Sequence, residues 1–252
     1  MLLSGKYAFH TGHWCNWGLF NTGSVNVKKD ETFYGVLHKS GYYTGLAGKW
    51  SWDREGKPCN FDEACIYPRT IDYLPKGAKY DGPVNRIDPL WPAASRYWHP
   101  LILENGKYRP TTKDEYGPDI FTDFLLNFIK RSKNRRQPFL FYYPMVLPHA
   151  ADELKPKSPF PPTPDPKNPG RKLNNGLNGM KAYIDVLIGR IVKGLEETGL
   201  RENTIIIFTA DNGSYGPRGK GTTCEPGVWV PFIVNCPGKI PARGLVDEMV
   251  SL

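Results

Sequence analysis

The feature that most constrains this chain is an alternation of two kinds of segment. Short runs that are apolar on both faces, Phe139-Leu-Phe-Tyr-Tyr143 and Thr204-Ile-Ile-Ile-Phe208, are separated by stretches with apolar residues three and four positions apart. A strand without a polar face must be covered on both sides, as in a parallel sheet with helices packed on each face. The helical period is clearest after Asp119, a candidate cap, where Phe121, Phe124, Leu125, Phe128 and Ile129 share one face. It recurs from about Gly179 to Thr198, with Met180, Tyr183, Ile184, Leu187, Ile188, Ile191 and Leu195 in one stripe and Gly199 as the stop. Thr32 to Ser40 reads as a short helix with Phe33, Val36 and Leu37 on one face, followed by a strand from Tyr42 to Ala47. Trp229 to Val234 is a further strand. The fold class expected is α/β, with a mostly parallel central sheet and helices on both faces.

Two stretches break this rhythm. Residues 53–118 are rich in Pro, Gly, Tyr and charge, and residues 150–178 hold seven prolines between Pro156 and Pro169. Long aperiodic stretches in a compact domain are usually functional, and both are expected to be loops over one end of the sheet. The 26 glycines and 24 prolines suit a loop-rich domain, while seven Trp, fourteen Tyr and twelve Phe exclude intrinsic disorder. No internal repeat is evident. No stretch approaches the ~20 apolar residues of a membrane-spanning helix, so no transmembrane segment is expected.

The net charge of +8 favours anionic partners without naming one. The densest basic run, Lys130 to Arg136, follows a helical segment and reads as a solvated helix end complementing the dipole. Nothing with zinc-finger spacing or an RNA-binding aromatic motif accompanies it, so nucleic acid is not expected as a partner. The five cysteines, Cys15, Cys59, Cys65, Cys224 and Cys236, lack metal-ligand spacing. Cys59 and Cys65 are near enough in sequence to pair, which sequence alone leaves open.

In open α/β sheets ligands gather outside the carboxyl ends of the strands. Three candidate strands end there in polar groups: the first in Gly48-Lys49-Trp50, the second through Pro148 into His149, the third in Asp211-Asn212-Gly213. Taken singly, each is commonplace. A lysine after a strand is often merely solvated, a histidine beside proline is usually a hydrogen-bonded loop residue, and Asp-Asn-Gly is a frequent turn. Together, on parallel strands, they describe an oxyanion site: a pair of hard oxygen ligands for a divalent cation, with Lys and His for negative charge.

At these residues the chain resembles the formylglycine-dependent sulfatases of the alkaline phosphatase superfamily. Leu2-Leu3-Ser4-Gly5-Lys6-Tyr7 is similar to the end of the family's signature helix, Leu-Leu-Thr-Gly-Arg-Tyr. Ser40-Gly-Tyr-Tyr-Thr-Gly-Leu-Ala-Gly-Lys-Trp50 resembles its Gly-Tyr…Gly-Lys-Trp-His block. Pro138 to Tyr143 with Pro148-His149 resembles the strand delivering an active-site histidine, and Thr204 to Gly213 the metal-binding strand and turn. Lys220-Gly-Thr-Thr223, Glu225 and Val230-Pro231 complete the ordered set, which covers nearly the whole chain.

The resemblance implies hydrolysis of sulfate esters, with sulfated carbohydrate the preferred substrate. It implies that Asp211 and Asn212 are ligands of a calcium ion, and that Lys49, His149 and Lys220 hold the sulfate oxygens as substrate-binding and catalytic residues, with His149 near the leaving oxygen. A metal role for Asn212 removes Asn212-Gly-Ser214 as a glycosylation site. Family members are commonly periplasmic, extracellular or lysosomal.

There are also departures. The nucleophile of the family is a formylglycine made from Cys or Ser in Cys/Ser-x-Pro/Ala-x-Arg, and none of the five cysteines stands in that context. That motif and an Asp-Asp pair of metal ligands are expected upstream of Leu2, so residues 1–252 are expected to be a partial catalytic-type domain lacking the first strand and the C-terminal subdomain. The calcium site would be incomplete and the activity of the chain alone doubtful. Ser51 stands where the family often has His, and Cys224, Pro226 and Trp229 where Tyr, Gly and Arg are frequent. Two alternatives share the same residues: a non-catalytic binder of sulfated or phosphorylated ligands, and a phosphodiesterase or phosphonate hydrolase of the same superfamily.

Overall fold

A computed structural model describes residues 3–11, 28–50, 61–85, 93–151, 160–214, 216–248 and 250. The chain forms two compact units, Met1–Gly194 and Leu195–Leu252. In chain order the first holds α1 (Ala8–Thr11), α2 (Phe33–Lys39), β1 (Tyr43–Lys49), β2 (Glu63–Tyr67), β3 (Val84–Asn85), β4 (Ala93–Ala94), β5 (Ile102–Glu104), β6 (Lys107–Arg109), α3 (Gly117–Lys133), β7 (Phe139–Tyr142), β8 (Thr163–Pro164) and β9 (Lys172–Leu173). The unit boundary falls within α4 (Gly176–Thr198), and β10 (Ile206–Thr209), α5 (Glu225–Val228) and β11 (Phe232–Asn235) follow. None of the described helices is long and apolar enough to cross a membrane.

Five strands build the central sheet of the first unit in the order β6-β5-β2-β1-β7. β1 pairs in parallel with β2 and with β7, placing Leu46 opposite both Ala64 and Tyr142. β5 and β6 continue the sheet in antiparallel fashion. The sheet is therefore mixed around a parallel core. Residues 53–118 are corrected by this topology: the stretch expected to be loop contributes β2, β5 and β6. Strands of three to five residues are too short to register as a period. One local signal marks the hairpin nonetheless, since Asn105 (φ 49°) and Gly106 (φ 76°) form the two-residue turn joining β5 to β6.

Helices cover both faces because neighbouring residues of each strand point opposite ways. Ala47, Cys65 and Tyr67 pack with Phe121 and Phe124 of α3 and with Met180, Tyr183 and Leu187 of α4. Leu46, Ala64 and Ile66 pack with Tyr34 of α2, Trp50 and Leu103 on the other face. The stripe read on α4 is the buried one. On α2 the inward residue is Tyr34, whereas Val36 is 51% exposed, so the face expected there is rotated. Thr32 caps α2 by accepting from the Gly35 amide at 3.1 Å, and Gly41 (φ 86°) follows its end. At α3 the cap position belongs to Tyr116, which makes no side-chain cap bond; Asp119 lies inside the first turn and bonds elsewhere.

In the second unit β10 and β11 pair antiparallel, with Ile207 opposite Val234. The alternation of strand and helix points to a parallel arrangement here, and to a buried strand over Thr204–Phe208. Instead Ile207 is 60% exposed. Two strands alone can bury little, and among the described residues this ladder has only two. Cys65 is a free, buried thiol rather than one half of a disulfide, and Cys59 lies outside the described residues.

Candidate functional site

The parallel pairing decides what stands at the carboxyl edge of the sheet. Lys49 is the last residue of β1 and its amide donates to the carbonyl of Pro144 at 2.8 Å, beyond the end of β7. Gly48 makes this approach feasible, because its φ is +105° and a Cβ there would overlap the Pro144 carbonyl oxygen. The chain then runs from Pro144 to a turn in which the His149 amide donates to Val146 at 3.2 Å, and the Leu147–Pro148 bond is cis. Lys49 and His149 therefore leave the same edge of the sheet. Ser51 lies outside the described residues.

Beneath His149 is a pair of residues that no sequence pattern singles out. Arg96 is 2% exposed, and its Nη1 is 3.4 Å from Nδ1 of His149. The hydroxyl of Tyr97 reaches the carbonyls of Val146, at 2.8 Å, and of His149. Nδ1 of His149 is also 2.7 Å from the Ala150 carbonyl. Arg96 and Tyr97 sit in the stretch read as loop, where periodicity gives no guide. A run of aromatic residues, Tyr97-Trp98, is the one cue. The proline-rich stretch begins to be tied down nearby: Nε1 of Trp98 donates to Pro162 at 2.7 Å, and the ammonium of Lys172 stands 3.7 Å from the Trp98 ring centre.

The core below is polar in places. Burial pushes the phenols of Tyr116 and Tyr143 far above the ordinary tyrosine range, and Tyr143 is held by Thr122 Oγ1 at 3.1 Å. Burial also raises the Asp119 carboxyl, opposed by hydrogen bonds from Tyr183 at 2.8 Å and Arg190 at 2.7 Å.

In the second unit Asn212 and Lys220 lie in one hydrogen-bonded knot, and Asp211 immediately precedes it. Asp211 and Asn212 follow β10 directly. Gly213 and Ser214 donate to Gly227 at 3.0 Å and Pro226 at 3.1 Å, and the Lys220 amide donates to Ser214 at 2.7 Å. Gly213 has no room for a side chain, since a Cβ would overlap the Pro226 carbonyl. Asn212 turns its amide nitrogen to the Gly213 carbonyl at 2.8 Å, which leaves Oδ1 as the atom able to meet a cation. Asp211 is exposed. Among the described residues no three His, Cys, Asp or Glu side chains group closely enough to hold a metal ion.

Comparison with known proteins points to one family for the chain. The family model described as Sulfatase matches residues 1–252. The chain is 27% identical over 237 residues to an N-acetylgalactosamine-6-sulfatase of Canis lupus familiaris, covering 86% of this chain and 42% of that protein. It is 26% identical over 276 residues to an N-acetylgalactosamine-6-O-sulfatase of Bacteroides thetaiotaomicron, covering 83% and 52%. The solved structure of Ps i-CgsB in complex with k-i-k-neocarrahexaose superposes with a TM-score of 0.63 at 25% identity, over 96% of this chain and 55% of that one. The chain thus spans about half the length of the curated relatives it matches.

Proposed function

The chain belongs to the sulfatase family, and from that membership we propose that it acts in the hydrolysis of sulfate esters, with sulfated carbohydrate as the substrate. The observation that carries the reading is the shared exit of Lys49 and His149 from the carboxyl edge of parallel β1 and β7. The relatives named for N-acetylgalactosamine sulfatase activity and the neighbour solved with a neocarrahexaose support a carbohydrate. The net charge of +8 suits an anionic polymer.

In this reading Lys49 and Lys220 hold sulfate oxygens as compact point charges, and His149 hydrogen-bonds at the leaving oxygen. Such donors act where negative charge develops in the transition state, and each is worth roughly 10²–10³ in rate. Of the groups the family implies, calcium would find Asp211 and Asn212 Oδ1 here. These two side chains bring at most three hard oxygens against the six to eight that calcium takes, so among the described residues they do not complete its site. No cysteine of the chain stands in the formylglycine motif. The role assigned to these residues is accordingly to bind and orient the ester.

The direct assay is release of inorganic sulfate from a sulfated oligosaccharide, with an aryl phosphate diester as the control substrate. Preference for the diester would overturn the reading. For this chain itself, calorimetric binding should be stronger for the sulfated than for the unsulfated oligosaccharide. Lys49→Ala and Lys220→Ala should each weaken it about tenfold or more, in a salt-sensitive way. Equal affinity for the two sugars would count equally against it.

A further inference from the structure

We propose that the hairpin of β8 and β9 is a second anion subsite beside the His149 segment, taking a sulfate group on a sugar next to the one whose ester meets Lys49 and His149. The inference rests on the reading of the chain as a binder of sulfated carbohydrate and deepens it, by making the substrate one that is sulfated on more than one sugar.

The hairpin sorts its charges. Residues 160–175 carry three cations, Lys167, Arg171 and Lys172, and one acid, Asp165. All three cations are exposed, whereas the Asp165 side chain is 7% exposed. That carboxylate is taken up by the turn it closes. One oxygen accepts from the Lys167 amide at 2.9 Å and the other from Nδ2 of Asn168 at 2.9 Å. Nε of Arg171 stands 3.8 Å from the same carboxylate, a loose ion pair, and the Arg171 side chain is 67% exposed. Among the described residues neither Lys167 nor Lys172 meets a carboxylate. The turn therefore points its one negative charge inward and its positive charges outward.

The display is fixed, and its root lies with the His149 segment. β8 and β9 pair antiparallel, Thr163 with Leu173 and Pro164 with Lys172, and the Asp165 amide donates to the Arg171 carbonyl at 2.9 Å. Pro164, Pro166 and Pro169 restrict φ along the turn. Trp98 anchors both strands. Its Nε1 donates to the Pro162 carbonyl at 2.7 Å, just before β8, and the ammonium of Lys172 on β9 stands 3.7 Å from its ring centre. The preceding residue, Tyr97, has its hydroxyl at the carbonyls of Val146 and His149. Trp98 and Phe160 also pack against the apolar cluster that holds Val146, Leu147 and Ala151. Consecutive residues thus tie the hairpin and the His149 segment to one point of the first unit. Cations held this way need little further ordering when a ligand arrives, so their attraction for an anion appears as affinity.

Binding of the full chain to two tetrasaccharides of one backbone tests this, one sulfated on every sugar and the other only on its terminal sugar. The wild type should favour the first by about tenfold or more, beyond the roughly fourfold that four equivalent sulfates give by counting alone. Lys167→Gln combined with Arg171→Gln should bring the ratio to about fourfold or less, with binding of the terminally sulfated sugar as the internal reference for a folded chain. The wild-type preference should also shrink as salt is added. A wild-type ratio of about fourfold or less, or no binding of either sugar, overturns the proposal. So does a preference that survives the double substitution. Lys49→Ala separates this subsite from the reading on which it rests, and should weaken both sugars alike. Should Lys49→Ala weaken neither while the double substitution removes the preference, the hairpin subsite stands and the placement of the ester at Lys49 fails.

Discussion

The amide of Lys49 donates to the carbonyl of Pro144 across 2.8 Å, extending the β1–β7 pairing past the last paired residues, Leu46 and Tyr142. This single bond ties the residue that ends one strand to the segment that carries His149. It requires Gly48 at φ +105°, with nothing where a Cβ would be. The candidate site in the first unit therefore depends on a backbone contact as much as on its charged side chains.

Gly48→Ala should be destabilising by about 1–3 kcal/mol, from the strained φ and the overlap with Pro144 together. Urea unfolding followed by tryptophan fluorescence would show it as a lower midpoint at unchanged slope. If the midpoint is unmoved, the close approach of the two strands is not required for folding.

Asp119 accepts from Tyr183 and from Arg190, which also reaches Asp123. Burial raises its carboxyl above the ordinary range, so ionising it in the folded chain costs stability that increases as pH rises through the folded value. Arg190 offsets that cost only once Asp119 is charged. Arg190→Ala should accordingly be close to neutral at about pH 3.5 and destabilising by about 1–2 kcal/mol at pH 7. Denaturation at the two pH values would check it, and a loss that is equal at both would contradict the assignment.

Cys65 lies in the sheet, 0% exposed, and burial pushes its thiol far above the ordinary range. A thiol that is neither ionised nor accessible does not alkylate. Brief iodoacetamide treatment at about pH 8 followed by peptide mass mapping should find Cys224, which is half-buried, modified before Cys65. Cys65 should react only after denaturation.

As the proposed calcium ligands, Asp211 and Asn212 bring at most three oxygens, two from the carboxylate and one from the amide. Calorimetric titration of this chain should therefore show no saturable calcium binding tighter than about 1 mM through these residues. Micromolar binding that disappears in Asp211→Ala would show that other groups complete the shell.

Much of the fold is legible in the pattern of apolar residues. Helices α3 and α4 carry stripes at spacings of three and four, and those stripes are the buried ones. β7 lies where an apolar run is and β1 where a strand is read after Gly41; these two pair in parallel, whereas the run over Thr204–Phe208 pairs antiparallel. Where pattern and structure part, the reason is physical. Asp often caps a helix, yet the Asp119 carboxylate is engaged by Tyr183 and Arg190 from another helix, and the cap position of α3 falls to Tyr116. β2, β5 and β6 are too short to carry a period; the Asn105-Gly106 turn marks the β5–β6 hairpin and nothing comparable marks β2.

By itself the sequence determined the fold class, the order of the main helices and apolar strands, the family, and the positions of Lys49, His149, Asp211, Asn212 and Lys220 along the chain. Each rests on local patterns, written within a few residues, and on their order along the chain. The tertiary structure alone decided that β2 sits beside β1, that β10 pairs antiparallel with β11, and that Arg96 lies against a histidine 53 residues away. Contacts between segments so far apart depend on how strands are ordered in a sheet, and that order leaves no period in the chain that forms it.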